Sequence, residues 1–214
     1  MELIIGPRAY STWSLRGWLV MRATGADFAV TDVRYDAEAD KAALRRLSPS
    51  GFVPLLKVDG ERIWDTLSIA EWAAERYPEA GLWPADPTTR ALARSATAEM
   101  HSGFQALRTF CGTGPDRPMV GETRSPTPSD PALDRDLARI VALFREMRAR
   151  FGGDGPWLFG ARSIADIFYT PVAARVRHFQ IELADHGDDG TAAAYVEALL
   201  AHPHFREWET AAQA

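Results

Sequence analysis

Ser11, Thr12 and Ser14 sit close together in the stretch Tyr10-Ser11-Thr12-Trp13-Ser14-Leu15-Arg16. Ahead of them, Leu3-Ile4-Ile5 is a short apolar run closed by Gly6-Pro7, which reads as a buried strand and its stop. Beyond them, Leu15, Trp18, Leu19 and Ala23 are spaced for one face of a helix that Gly25 ends. The hydroxyls therefore fall on the first turn of a helix that follows a strand. Backbone N–H groups without helical partners, and the positive end of the helix dipole, favour an anion at such a point. A hydroxyl there can donate to a thiolate and favour its ionised form. Ser and Thr are also common helix caps, so capping alone accounts for the same residues.

Two further pairs join a hydroxyl to an acid. Asp65-Thr66 opens a helix that runs to about Tyr77, and either residue is a good cap. Ser163-Ile164-Ala165-Asp166 is a capping box, with an acid one turn from its cap.

The elements that must position these residues follow from period and punctuation. After the strand near residues 2–6 and the helix near 12–24, Phe28, Val30 and Val33 mark a second strand at 28–34. Asp36 to Leu47 reads as a second helix, ended by Ser48-Pro49-Ser50-Gly51. The crossover makes the first two strands parallel. Leu55-Leu56 and Val58 form a third strand, headed by Val53-Pro54; Asp59-Gly60 is a hairpin turn and Arg62-Ile63-Trp64 the return. The first 78 residues thus read β-α-β-α-β-β-α, an α/β unit with a mixed sheet. Pro78, Gly81, Pro84 and Pro87 make 79–87 a linker, with Leu82 and Trp83 packing back onto a domain.

From 88 to 214 the pattern is helical. One long helix is expected over Thr88–Cys111 and another over Pro131–Phe151, with a loop rich in Gly, Pro, Ser and Thr between them. The helix after Ser163 carries Ile164, Ile167, Phe168, Val172 and Val176 and contains Pro171, which should kink it or remove a backbone bond. Two short helices, Thr191–Leu200 and Pro203–Gln213, complete the chain.

Composition excludes several classes of function. The 214 residues carry a net charge of −5, so there is no basic footprint for nucleic acid. No apolar run approaches the roughly 20 residues that cross a bilayer. No signal peptide is expected, and the single cysteine, Cys111, rules out an internal disulfide. A cytoplasmic location is the natural expectation.

Taken together, the serines at the first helix, the Val-Pro ahead of the third strand, the acid-hydroxyl pair at the third helix and the Ser-x-x-Asp cap in a helical second half resemble the glutathione S-transferase superfamily. The resemblance runs over essentially the whole chain and is nearest to bacterial members related to the zeta (maleylacetoacetate isomerase) and other serine-type classes. It implies a thioredoxin-like N-terminal domain over 1–78 and an all-α C-terminal domain over 88–214. It implies glutathione as co-substrate and no metal. Ser11 is then the serine that activates the thiol, with Ser14 further along the motif. Val53, before a cis Pro54, would pair its backbone with the cysteinyl part of glutathione, and Asp65 and Thr66 would bind the γ-glutamyl end. Ser163 and Asp166 match a structural cap. A homodimer is the family's habit.

The chain also departs from that pattern. Trp13 stands where zeta members tend to carry cysteine, which argues against thiol-disulfide chemistry and also weakens a strict isomerase reading. Phe52 replaces a common basic residue, and Asp65 is shorter than the usual Glu or Gln. The acceptor site is expected between the domains, with Met100, Phe104, Arg108, Tyr169 and Arg175 as candidates. Core packing is the competing account of Met100 and Phe104, whereas either arginine could hold an anionic substrate. Three functions follow. One is conjugation of glutathione to an electrophile; another is cis-trans isomerisation of a maleylacetoacetate-like substrate. A third is ligand binding on this fold without turnover.

Overall fold

The computed structural model describes residues 1–213. Its first half contains β1 (Glu2–Ile5), α1 (Thr12–Ala23), β2 (Ala29–Asp32), α2 (Glu38–Leu47), β3 (Leu55–Val58), β4 (Glu61–Trp64) and α3 (Thr66–Arg76). The sheet order is β2-β1-β3-β4. Strand β1 runs parallel to β2, with Leu3 opposite Val30, and antiparallel to β3, with Leu3 opposite Leu56. Leu3, Ile4 and Ile5 are wholly enclosed, which is why β1 reads as a continuous apolar run. The peptide bond Val53–Pro54 is cis. Strand β2 is shorter than the pattern at 28–34 suggested.

The second half is helical: α4 (Pro87–Ser102), α5 (Gln105–Phe110), α6 (Pro131–Phe151), α7 (Ile164–His178), α8 (Thr191–Ala201) and α9 (Pro203–Gln213). The single helix expected over Thr88–Cys111 is two. Gly103 ends α4 because a Cβ there would meet the Glu99 carbonyl oxygen at 2.6 Å, and Phe104 then turns the chain with φ of 54°. Arg108 covers the exposed carbonyls of this break. Its guanidinium donates to the carbonyls of Met100, His101 and Gly103, and its cation favours the negative end of α4.

Helix α7 is the centre of the molecule and is almost entirely buried. Pro171 lies inside it without ending it. The two halves share one apolar core, and Arg16 on α1 donates to the Phe168 carbonyl of α7 at 2.9 Å. The linker returns to this core: Leu82 is buried, and its carbonyl accepts from Ile164 N at 2.9 Å. The loop after α5 is also pinned. Met119 N donates to the Ala9 carbonyl at 2.8 Å and Thr113 Oγ1 to the Tyr10 carbonyl at 2.9 Å, so the loop braces the turn that leads into Ser11.

At the junction of α8 and α9, His202 is half-buried, with its ring edge-on to Trp157 at 5.7 Å. Burial, with Arg162 and His204 adding positive charge, pushes its pKa down from 6.5 to about 4. A histidine held neutral by the fold stabilises above its unfolded pKa and loses that contribution as pH falls through the folded value. Denaturant titrations should therefore show stability falling between pH 6.5 and about 4, with a shallower fall in His202→Asn.

Candidate active site

Ser11 is the residue before α1, yet its side chain caps no helical N–H. The turn is closed by backbone instead, with Leu15 N bonding the Ser11 carbonyl at 3.0 Å. The Ser11 hydroxyl donates to Ser14 Oγ at 2.8 Å, and Ser14 Oγ also accepts from Gly6 N at 2.9 Å. Ser14 is fully enclosed, and it ties the end of β1 to α1. Ser11 stands in front of it and lines a groove. Capping therefore does not describe the Ser11 hydroxyl.

The groove has two adjoining lobes that share Trp13, Ser50, Phe52 and Val53. The first, about 410 Å³, is walled by Ser11, Tyr35, Leu44, Lys41 and Arg45. The second, about 450 Å³, is walled by Pro54, Trp64, Asp65, Thr66 and His101. Each is of a size that takes a small ligand. The ends differ in charge. Lys41 and Arg45 lie four residues apart on one face of α2, both near Glu38, at 3.8 and 2.7 Å. At the other end stands the Asp65 carboxylate.

Asp65 caps α3 by accepting from Leu67 N at 2.8 Å. It does so with φ of 69°, a conformation unusual for a residue with a side chain, and such strain clusters at functional sites. His101 on α4 approaches its carboxylate at 3.1 Å and packs against Trp13 at 5.2 Å. The Thr66 hydroxyl donates to the Trp13 carbonyl at 3.3 Å, which leaves it facing the backbone.

Trp13 is flanked by cations. The Arg16 and Arg108 guanidiniums lie 4.5 and 5.0 Å from its ring centre. Arg16 is fully buried and donates to the carbonyls of Thr12 and Phe168 and to Met100 Sδ. Arg175 donates to the carbonyls of Cys111 and Pro171. Among the described residues, Arg16, Arg108 and Arg175 form no ion pair with a carboxylate. Burial, and the repulsion of its neighbours, lowers the pKa of Arg175 to about 10 and that of Arg16 well below the usual value. At about 10 the Arg175 guanidinium stays charged at neutral pH.

The structure thus brings Ser11, Val53, Pro54, Asp65 and Thr66 together around one groove. It does not bring Tyr169 or Arg175 to that groove. Tyr169 is enclosed, with its hydroxyl on the Ala96 carbonyl at 3.1 Å. Met100 and Phe104 are buried, and the Phe104 ring packs on Tyr169 at 6.5 Å. Tyr35, Lys41, Arg45 and His101 were missed from sequence. The spacing of Lys41 and Arg45 on an amphipathic helix was a usable signal; Tyr35 and His101 carried none.

Two family models match the chain: the glutathione S-transferase N-terminal domain over residues 10–76 and the C-terminal domain over residues 130–211. Maleylacetoacetate isomerase of Pseudomonas aeruginosa is 29% identical, over 95% of this chain and 93% of that protein. A probable maleylacetoacetate isomerase of Caenorhabditis elegans is 32% identical over a shorter stretch, 47% of this chain and 46% of that protein. Among solved structures, a sphingomonad glutathione S-transferase complexed with glutathione superposes with a TM-score of 0.68 at 25% identity, covering 100% of this chain and 99% of the other. Both domain models, in the right order, fall on the two structural halves that the groove joins, and the chain belongs to the glutathione S-transferase family.

Proposed function

We propose that the groove binds glutathione and that the protein uses its thiolate on a small anionic electrophile, by reversible addition that isomerises a double bond. Conjugation to an electrophile is the second reading. The observation that carries the proposal is the Ser11 hydroxyl. It lines the groove at the start of α1 without serving the helix as a cap.

The residues suit glutathione from end to end. Asp65 would pair with the α-amino group of the γ-glutamyl end, beside the start of α3. The Val53 backbone would hold the cysteinyl part, and Lys41 and Arg45 would meet the glycyl carboxylate. Gly6 lets the Tyr35 ring close over the end of β1 beside Ser11: a Cβ there would overlap that ring and come within 3.2 Å of Ser11 Oγ. When bound, glutathione supplies a sulfur nucleophile that adds to an electrophilic carbon. If that bond later breaks after rotation about the former double bond, the result is cis-trans isomerisation. The chain's part is to bind and orient the tripeptide, and to favour loss of the thiol proton to water. Two observations support isomerisation of an acidic substrate. Relatives with closely matching length bear the name maleylacetoacetate isomerase, and two arginines, Arg16 and Arg108, flank Trp13 without carboxylate partners.

The test is glutathione binding by calorimetry, with parallel assays of a maleylacetoacetate-like acid and a halogenated aromatic. Isomerisation much faster than conjugation supports the first reading; binding with neither reaction leaves only a ligand carrier. Asp65→Asn keeps an N-cap while removing the charge. It should weaken glutathione binding about tenfold, the order of one charge-assisted hydrogen bond, with little change in melting temperature.

We also infer a symmetric homodimer through the sheet domain and α4. Two large exposed aromatic residues, Phe52 and Trp64, on the rim of the groove support it, and light scattering would measure it. A cytoplasmic setting fits a protein that needs a reduced thiol. Among the described residues no helix is long and apolar enough to cross a membrane.

A further inference from the structure

We infer that Tyr35 is a second hydroxyl donor to the sulfur of the bound thiol, acting beside Ser11. The inference rests on the glutathione reading and deepens it.

Three side chains converge over Gly6. A Cβ added at that glycine would overlap Tyr35 Cε1 and lie 3.0 Å from Val53 Cγ2 and 3.2 Å from Ser11 Oγ. The Tyr35 ring therefore rests on bare backbone, next to the serine and next to the residue assigned to the cysteinyl part. All three line the same lobe. From the other side, Tyr10 presents its ring at 87° to that of Tyr35, with centres 6.1 Å apart. The hydroxyl of Tyr10 is anchored on Asp36. The ring of Tyr35 is thus held in place from two directions.

The serine by itself is an incomplete donor. Its proton is given to Ser14 Oγ at 2.8 Å, and that oxygen already accepts from Gly6 N. To donate to a sulfur anion, Ser11 must turn its proton out of a buried contact worth about 1 kcal/mol. The hydroxyl of Tyr35 lies within reach of the Ser11 hydroxyl and has no other hydrogen-bond partner among the described residues, so it is tied into no buried contact. Burial raises the pKa of this phenol, while the Ser11 hydroxyl pulls it back. The phenol therefore remains protonated and keeps its donor through neutral pH. The other charged groups around the lobe are Asp36, next in sequence, and Lys41 and Arg45 on α2. The thiol proton itself leaves to water through the open groove.

Tyr35→Phe tests this without disturbing the wall, because it keeps the ring and removes only the hydroxyl. Full-length wild type, Tyr35→Phe and Ser11→Ala are compared by the ultraviolet absorbance of bound thiolate as a function of pH. Binding of S-methylglutathione, which has no thiol proton, is measured in parallel. The expected result is a rise of about one unit in the bound thiol's pKa in Tyr35→Phe. Turnover at neutral pH should fall about 5- to 10-fold and recover as pH rises past the thiol's own pKa. Affinity for S-methylglutathione should stay within about twofold of wild type. An unchanged thiol pKa in Tyr35→Phe, with the wild type ionising its ligand, overturns the role of Tyr35 alone. An equal loss of affinity for thiol and thioether overturns it too, since packing would then explain the residue. If the wild type binds glutathione without ionising it, or does not bind it, the functional reading falls and this inference with it.

Discussion

Ser11→Ala is expected to slow turnover at neutral pH by about 10- to 100-fold, with the loss shrinking as the assay is moved above the pKa of a free thiol, near 8.5. The size follows from ionisation. A thiol of that pKa is only a few per cent thiolate at pH 7. Lowering it by about two units makes most of it reactive, which takes about 2.7 kcal/mol of preferential stabilisation of the anion. The start of α1 supplies part of this through its dipole, and hydroxyl donors supply the rest. Removing Ser11 leaves the helix and Tyr35 in place, so a residual rate should remain. The pH-rate profile of the variant should be displaced to higher pH, and that displacement marks loss of a thiolate donor rather than general damage. Ser14→Ala should behave differently. Ser14 is fully buried and bonds Gly6 N, so its loss leaves a buried donor without a partner and costs about 1–3 kcal/mol of stability. Comparing the two variants separates the residue at the groove from the one behind it. A Ser11→Ala enzyme with the wild-type rate and profile would sink the assignment.

Asp166→Ala should be the most destabilising single change in the chain, about 4–5 kcal/mol, seen as a fall of roughly 10–15 °C in melting temperature. The carboxylate is fully enclosed. Oδ1 accepts from Leu158 N at 3.0 Å and from the Tyr195 hydroxyl at 2.9 Å, and Oδ2 accepts from Ser163 N at 2.8 Å and Ser163 Oγ at 3.1 Å. Burial pushes its pKa up, against the pull of those donors. Arg162 nearby offsets part of the charge. Removing the acid strands every one of these groups in the interior at once, and no water can reach them without opening the core around α7 and α8. The residue joins the loop before α7, the start of α7 and the middle of α8, so its loss frees three segments together. Asp166→Asn keeps the shape but offers a weaker acceptor and a misplaced donor, and should cost less. Denaturant melts within about 1 kcal/mol of wild type for the alanine variant would show that the cap is dispensable.

The cap could be read from Ser163 and Asp166 because it depends on residues three apart in one chain segment. The strand pattern, the parallel crossover and the Asp59-Gly60 hairpin were legible for the same reason: each is a local rule of period or turn chemistry. The break between α4 and α5 was missed. Its apolar stripe runs on through Phe104 and Leu107, whereas the decision lies in a clash between a would-be Gly103 side chain and the Glu99 carbonyl. Sequence offers Arg108 as an arginine near an apolar cleft, whereas its hydrogen bonds to the end of α4 exist only because of that break.

By itself, then, the chain's sequence determined the strands and helices other than the break between α4 and α5, their order, and the presence of hydroxyls at the start of α1, because these depend on neighbours within a few residues. Tertiary packing alone decided which of those hydroxyls faces the groove. Ser11 and Ser14 are alike in type and three apart, yet one lines the groove and the other is sealed behind it by Gly6. It also decided that Tyr35 and His101, distant in the chain, share walls with Ser11 and Asp65. Exposure and convergence are properties of surfaces brought together by folding, and no periodicity within a segment encodes what another segment will place in front of it.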